Sequence, residues 1–318
     1  MSIWKLRLSM VTTLAAIIGL STLVFAVLLS VAGVFDFVTL GVLVAGFNVL
    51  QWLIAPYIVD AIYRVRPLGE NENPQLHQIV ESLSEKSKIS RPKLMLAQVS
   101  IPNAFAYGSP LTGTRVAVTQ GLLNTLNMGE VEAVLGHELG HLKHRDVQVM
   151  MVVSFLPALF YYIGYSLLLS SMFRNRRDEG GSAALIGFVF MAFSWVLNMF
   201  ILYLSRLREY YADRHSASIV ENGANKLSTG LARIVYATHR SKLRPQKENA
   251  GAFKALFISD PDTADKDAVA LAGASSYDGQ RLVQEILAKK PTLFDKISEV
   301  FSTHPNIIKR LRALQELS

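Results

Sequence analysis

Four stretches of this chain carry no charged side chain: Leu8–Phe35, Phe37–Val59, Val147–Phe173 and Gly180–Ser205. A helix needs about 20 apolar residues to cross a bilayer, and each stretch is long enough. A soluble helix of that length keeps a polar face, and none of these does. The first stretch is too long for the apolar core of a secretion signal, and the second follows it after Asp36 alone. The pattern predicts two transmembrane helical hairpins, residues 1–60 and 147–205. Between and after them lie two polar segments, 61–146 and 206–318.

Charge then sets the orientation. The formal net charge is +7, and the positive residues sit beside the apolar runs. Lys5 and Arg7 precede the first, and Arg64 and Arg66 follow the second. Lys143 and Arg145 precede the third, and Arg206 and Arg208 follow the fourth. With four crossings these flanks share one side, which the positive-inside rule makes cytoplasmic. The loop with Arg174, Arg176 and Arg177 dissents, partly balanced by Asp178 and Glu179. It leaves open a second hairpin that does not cross fully. Basic flanks account for the charge without nucleic-acid binding, since no Lys/Arg stripe interleaved with aromatics occurs elsewhere. The lipid bilayer is therefore one expected partner, at the plasma membrane.

The polar segments read as α+β, mainly α-helical. Asn73–Lys88 predicts an amphipathic helix with Leu76, Ile79, Val80 and Leu83 on one face. Arg91–Gln98 and Arg115–Thr119 predict strands, with "IPNAFAYGSP" between them as a loop or irregular edge strand. Gly121–Leu126 predicts a short helix and Met128–Arg145 a longer one. After the last apolar run come helices over Leu207–Val220 and Ala224–Arg240, an irregular stretch over Leu243–Asp267, and late helices in "GQRLVQEILAKK" and "NIIKRLRALQEL". The result is a small β-sheet beside one central helix.

That helix carries H-E-x-x-H as His137, Glu138 and His141. Residues four apart share a helix face about one turn apart, so two imidazoles can reach one ion. Glu138, next to the first of them, can take a proton from a metal-bound water and pass it to a leaving amine. Hydrolysis of a peptide bond is the chemistry that uses all three residues. The chain has no Cys, so thiolate ligands are excluded. The alternative reading is a surface helix with two spare histidines.

A catalytic zinc takes three protein ligands and keeps one position open. The candidate third ligand is Glu209 in "REYYAD", with Asp213 one turn later on the same face. Asp213 can then accept a hydrogen bond from the far nitrogen of a ligand His. The alternative is that both acids pair with Arg206, Arg208 or Arg214. The even number of crossings between His141 and Glu209 returns both to one side of the membrane. His144 and Asp146 can support the ligands from outside, or simply end the helix. His77, His215 and His239 show no supporting pattern.

These motifs, taken in order, resemble the HtpX family of membrane zinc metallopeptidases in the gluzincin clan. The resemblance rests on the N-terminal apolar pair, "PNAFAYG" at Pro102–Gly108, "HELGHLKHRD" at His137–Asp146, the second pair, "REYYAD" at Arg208–Asp213, "FKALFISDP" at Phe253–Pro261 and "FSTHPNIIKRL" at Phe301–Leu311. It implies one zinc ion per chain on His137, His141 and Glu209, with Glu138 as general base. It implies that Asn103, Ala104 and Phe105 form an edge along which a substrate backbone lies. His304 and Arg310 match family positions with a structural or transition-state role, while Asn306 stands where a second Pro is usual. The implied function is an endopeptidase acting on misfolded or damaged membrane proteins, with its site facing the cytoplasm. A prenyl-protein endopeptidase of the same clan, or a non-catalytic membrane scaffold, are the alternatives.

Overall fold

The computed structural model describes residues 37–173, 180–242, 278–289 and 292–318. The first apolar stretch, the Arg174–Glu179 loop, the irregular stretch over Leu243–Asp267 and the Phe253–Pro261 motif lie outside the described residues. The helices are α1 (Phe37–Ile62), α2 (Pro74–Ser87), α3 (Gln120–Thr125), α4 (Met128–Lys143), α5 (Asp146–Phe173), α6 (Gly180–Ile219), α7 (Gly223–Lys242), α8 (Gly279–Leu287), α9 (Leu293–Val300) and α10 (Ile307–Gln315). The strands are β1 (Val65–Pro67), β2 (Lys93–Ala97), β3 (Ala104–Ser109) and β4 (Gly113–Thr119). The chain is thus mainly helical with one small mixed sheet.

Contacts divide it into two compact units, each drawn from two parts of the sequence. One unit holds the described residues up to Trp52 with Gln148–Leu204, and the other Leu53–Val147 with Ser205–Ser318. In the first, α5 and α6 pack closely. Phe160 stacks on Phe190 with ring centres 5.6 Å apart, and the Ser194 hydroxyl donates to the Pro157 carbonyl at 2.7 Å. Any Cβ on Gly164 would meet the Gly187 carbonyl oxygen at 2.5 Å, so glycine is what allows the approach. Among the described residues two segments are long and apolar enough to cross a membrane, Gly41–Ile62 and Ala184–Ile219. Their large apolar side chains face outward, as Leu50, Phe188 and Phe200 do. That is the reverse of a soluble core helix.

In the second unit the sheet order is β1-β2-β4-β3, with β2 and β4 parallel and the other pairs antiparallel. Alternation along the strands supplies two apolar faces. Leu94, Leu96, Ala104, Val116 and Val118 join α2, α4, α7, α8 and α10 in the main core. Met95, Ala97, Phe105, Tyr107 and Ala117 face the other way, against Val59 and Tyr63 at the end of α1. "NAFAYGS", read from sequence as a loop or irregular edge, contains a regular edge strand, in register with β4 from Ala104–Val118 to Ser109–Gly113. The three-residue β1 and the helix α9 had no sequence signal strong enough to predict them.

Two caps fix where the site helix begins. Thr119 ends β4, and its hydroxyl accepts the Leu122 N–H at 3.0 Å, starting α3. Asn127 then accepts the Glu130 N–H at 2.9 Å while Glu130 accepts the Asn127 N–H at 3.0 Å. This reciprocal box satisfies two donors that a helix start leaves open. α4 runs from it, with Val131, Val134, Leu135 and Leu139 fully buried.

Candidate metal centre

α4 turns His137, Glu138 and His141 inward from the side opposite its solvent edge. Facing it is the end of α6, which carries Glu209 and Asp213. The two helices approach closely because glycines line the contact. A Cβ on Gly140 would lie 3.0 Å from the Ala212 Cα, and one on Gly136 would lie 3.1 Å from the Ser216 Oγ. The Ser216 hydroxyl donates to the Ala133 carbonyl at 2.6 Å, tying the pair at the same level.

The Nε2 atoms of His137 and His141 point at one another, 3.1 Å apart. Glu209 completes a triangle: Oε1 is 3.4 Å from His141 Nε2 and Oε2 is 3.7 Å from His137 Nε2. One donor atom from each of the three residues lies within 4.8 Å of the others. The opposite ring nitrogens explain the orientation. Asp213 Oδ1 is 2.8 Å from His137 Nδ1, and Asp146 Oδ2 is 2.5 Å from His141 Nδ1. With the ring protons on the Nδ1 atoms that face these carboxylates, the Nε2 lone pairs would be free to take a metal. Two lone pairs aimed at each other repel unless a cation lies between them. The donor set of two imidazoles and one carboxylate suits zinc or a similar divalent ion.

Electrostatics favour positive charge in this place. Burial disfavours a charged His141, but hydrogen bonds to Asp146 and Glu209 outweigh it and raise the ring to about 10. Arg310 is 1% exposed. Its guanidinium donates to both oxygens of Asp213, at 2.9 and 2.6 Å, and its Nη1 lies 3.1 Å from Glu209 Oε2. Two buried carboxylates side by side would repel, and this one cation serves both. His304 Nδ1 is 3.3 Å from the same Glu209 oxygen. On the other flank, Arg208 Nη2 is 3.0 Å from Asp146 Oδ2.

Glu138 turns away from the triangle toward the sheet. Its Oε2 accepts the Ala106 N–H of β3 at 2.9 Å. Burial pushes its carboxyl above the usual carboxylate range, against the pull of the two imidazoles.

The structure thus gathers His137, Glu138, His141, Asp146, Glu209, Asp213, His304 and Arg310 in one place. His144 is not drawn in: its Nδ1 bonds the Gly140 carbonyl of its own helix at 2.8 Å, at the helix end. Asn103 is buried, its main chain paired with Thr119 through both N–H and carbonyl. The Ala104 and Phe105 side chains enter the two cores, and of these three residues only Ala104 turns its main chain to the open edge. His215 and His77 are engaged elsewhere, His215 with Ser87 at 2.9 Å and His77 with the Leu68 carbonyl at 3.0 Å. Sequence reasoning missed the Ala106 amide, because a main-chain donor leaves no mark in a sequence. It also missed the Arg208–Asp146 pair, having read Arg208 as a membrane flank or as a partner of Glu209 and Asp213.

Comparison with known proteins agrees with this geometry. Residues 70–318 match the model of peptidase family M48. The chain is similar to a protease HtpX homolog of Thermoplasma acidophilum, 38% identical over 276 residues, covering 85% of this chain and 82% of that one. It is also similar to protease HtpX homolog 2 of Sulfurisphaera tokodaii, 35% identical over 329 residues, covering 99% and 97%. Its fold is like that of Ste24p from S. mikatae, with a TM-score of 0.57, 18% identity, and coverage of 98% of this chain and 66% of that one.

Proposed function

The chain belongs to peptidase family M48, it is a membrane metalloendopeptidase, and from that premise we propose that it is a zinc enzyme using Glu138 as its general base. The observation that carries this reading is the convergence of His137 Nε2, His141 Nε2 and the Glu209 carboxylate on one point, with Glu138 beside it. His137, His141 and Glu209 would hold the ion, and Asp213 and Asp146 would fix the tautomers of the two rings. A zinc ion held there supplies Lewis acidity and lowers the pKa of a water to about 7.

The remaining work falls to the protein. Glu138 takes the proton of the attacking water and delivers it to the amine that leaves. A carboxyl pushed upward by burial is a better proton acceptor than one in water, which suits both halves of that transfer. His304, its Nδ1 3.3 Å from Glu209, is suited to donate to the developing oxyanion. Of Asn103, Ala104 and Phe105, Ala104 turns its main chain to the open side of β3, where an extended peptide can add as a strand.

We further infer four crossings, with the site on the cytoplasmic side. This rests on the charged flanks and on the apolar lengths of the helices. α1, and the part of α6 up to Ser205, would be two of the membrane spans. Residues 61–146 and 206–318 would build the catalytic domain between and after the two hairpins, and its substrates would be misfolded membrane proteins.

Glu138→Gln tests the mechanism. The amide keeps the size of the side chain and cannot take a proton. The variant should retain one zinc per chain by metal analysis and lose cleavage of casein. Near-normal cleavage by zinc-loaded Glu138→Gln would remove Glu138 from the mechanism.

A further inference from the structure

The hairpin of β3 and β4 has features that the catalytic reading does not use. No charged residue occurs from Gln98 to Thr114, and the first, Arg115, is committed. It forms an ion pair with Asp60, the only charged residue of α1. The Tyr107 hydroxyl donates to the same Asp60 at 2.6 Å. Two residues further along β3, the Ser109 hydroxyl donates to the Leu53 carbonyl at 3.4 Å. From Asp60 to Leu53 is seven residues, about 10 Å of helix. The hairpin therefore climbs α1 in the direction of its uncharged length, and its turn, Pro110–Leu111, lies beyond Leu53's partner. Leu111 is 65% exposed.

A single exposed Leu is ordinary on a soluble surface. Here the residues on either side of it are also hydrogen-bonded within the turn. The Ser109 N–H donates to the Thr112 hydroxyl at 3.1 Å, the Thr112 N–H donates to the Ser109 carbonyl at 3.2 Å, and the Thr112 hydroxyl donates to the Gly113 carbonyl at 3.2 Å. Pro110 has no N–H to satisfy. Gly113 takes φ +72, the left-handed turn position that glycine fills without strain. Pairing the Ser109 and Thr112 amides inside the turn lowers the cost of taking it out of water. Tyrosine and a paired Arg–Asp at the hairpin's base suit the boundary between apolar and polar layers.

The geometry points to the β3–β4 turn as a membrane-immersed foot: Pro110 and Leu111 dip into the acyl region of the bilayer beside α1. The partner is the lipid bilayer itself, because the uncharged turn reaches the level of Leu53 on α1 and leaves Leu111 exposed there. This rests on the reading of α1 as a membrane span. Ala106, which meets the Glu138 carboxylate, lies three residues from Ser109, about 10 Å along the strand. The edge offered to substrate would thus begin at the membrane surface, favouring peptide segments that have just left the bilayer.

The absence of native Cys makes the test direct. Leu111→Cys, Ile54→Cys on α1 and Glu85→Cys on the exposed side of α2 are each labelled with the dye NBD. The full-length protein is placed in phosphatidylcholine vesicles with or without doxyl-labelled lipid. The Leu111 dye should lose emission to the doxyl groups as the Ile54 dye does, and the Glu85 dye should not. Quenching at Ile54, with Leu111 behaving like Glu85, would overturn the foot and leave the span intact. No quenching at either position would overturn both.

Discussion

Three carboxylates around two imidazoles carry different weights, and substitution should separate them. Glu209 is a direct donor in the proposed zinc site, so Glu209→Ala leaves two ligands and should weaken zinc binding by orders of magnitude in titration against a competing chelator. Asp213 reaches the ion only through His137, at 2.8 Å from its Nδ1. Asp213→Ala should cost roughly 10–100-fold in the same titration. Wild-type affinity in Glu209→Ala would leave the third ligand unidentified. Residues of this site differ in how plainly sequence shows them. His137 and His141 are four apart, and helical geometry alone brings them together. Glu209 is 68 positions beyond His141, and only a pattern of several motifs could join it to them. By spacing alone Arg310 is one more cation on a terminal helix, and only the family resemblance singles it out. Its burial between Glu209 and Asp213 follows from packing that no spacing rule describes.

At the level of elements, the contact between α4 and α6 is set by what is missing from it. Gly140→Val would place its branches where Ala212 and the His215 Cβ stand, at 3.0 and 3.3 Å from the first carbon alone. Overpacking of this kind costs about 1–3 kcal/mol, and here it also moves Glu209 from the two histidines. Thermal unfolding should fall and zinc should bind more weakly, whereas Gly129→Ala, beside the flexible Lys226 side chain, should leave zinc affinity unchanged. An unaltered zinc affinity in Gly140→Val would mean that α4 and α6 need not touch this closely. The Asn127 cap went unread, but the starts of α2 at Pro74 and of α4 at Met128 were plain in the sequence. The length of α6 was not. Arg206, Arg208 and Glu209 look like the end of an apolar run and the start of a new helix. Yet no Gly or Pro occurs from Phe188 to Asn222, nothing breaks the hydrogen bonding, and one helix of 40 residues results. β1 was invisible because three residues cannot show an alternation.

For the molecule as a whole, orientation is the open quantity. Single Cys residues at Ser182 and Ser318, probed on intact cells with an impermeant thiol reagent, should label only at 182. Labelling at 318 from outside would reverse the proposed topology, and labelling at neither would favour a second hairpin that stays within one leaflet. With a peptide bound along β3, the four-stranded sheet would gain a fifth member. The outer side of β3 presents the main chain of Ala104, Ala106 and Gly108, since the Asn103 carbonyl takes the Thr119 amide on the inner side at 2.9 Å. One rung of that outer ladder is already taken, because the Ala106 amide holds Glu138. The peptide would be gripped above and below a single unpaired carbonyl. On the proposed reading, that carbonyl, left without a partner in the sheet, would be the one free to face the metal site held by His137, His141 and Glu209.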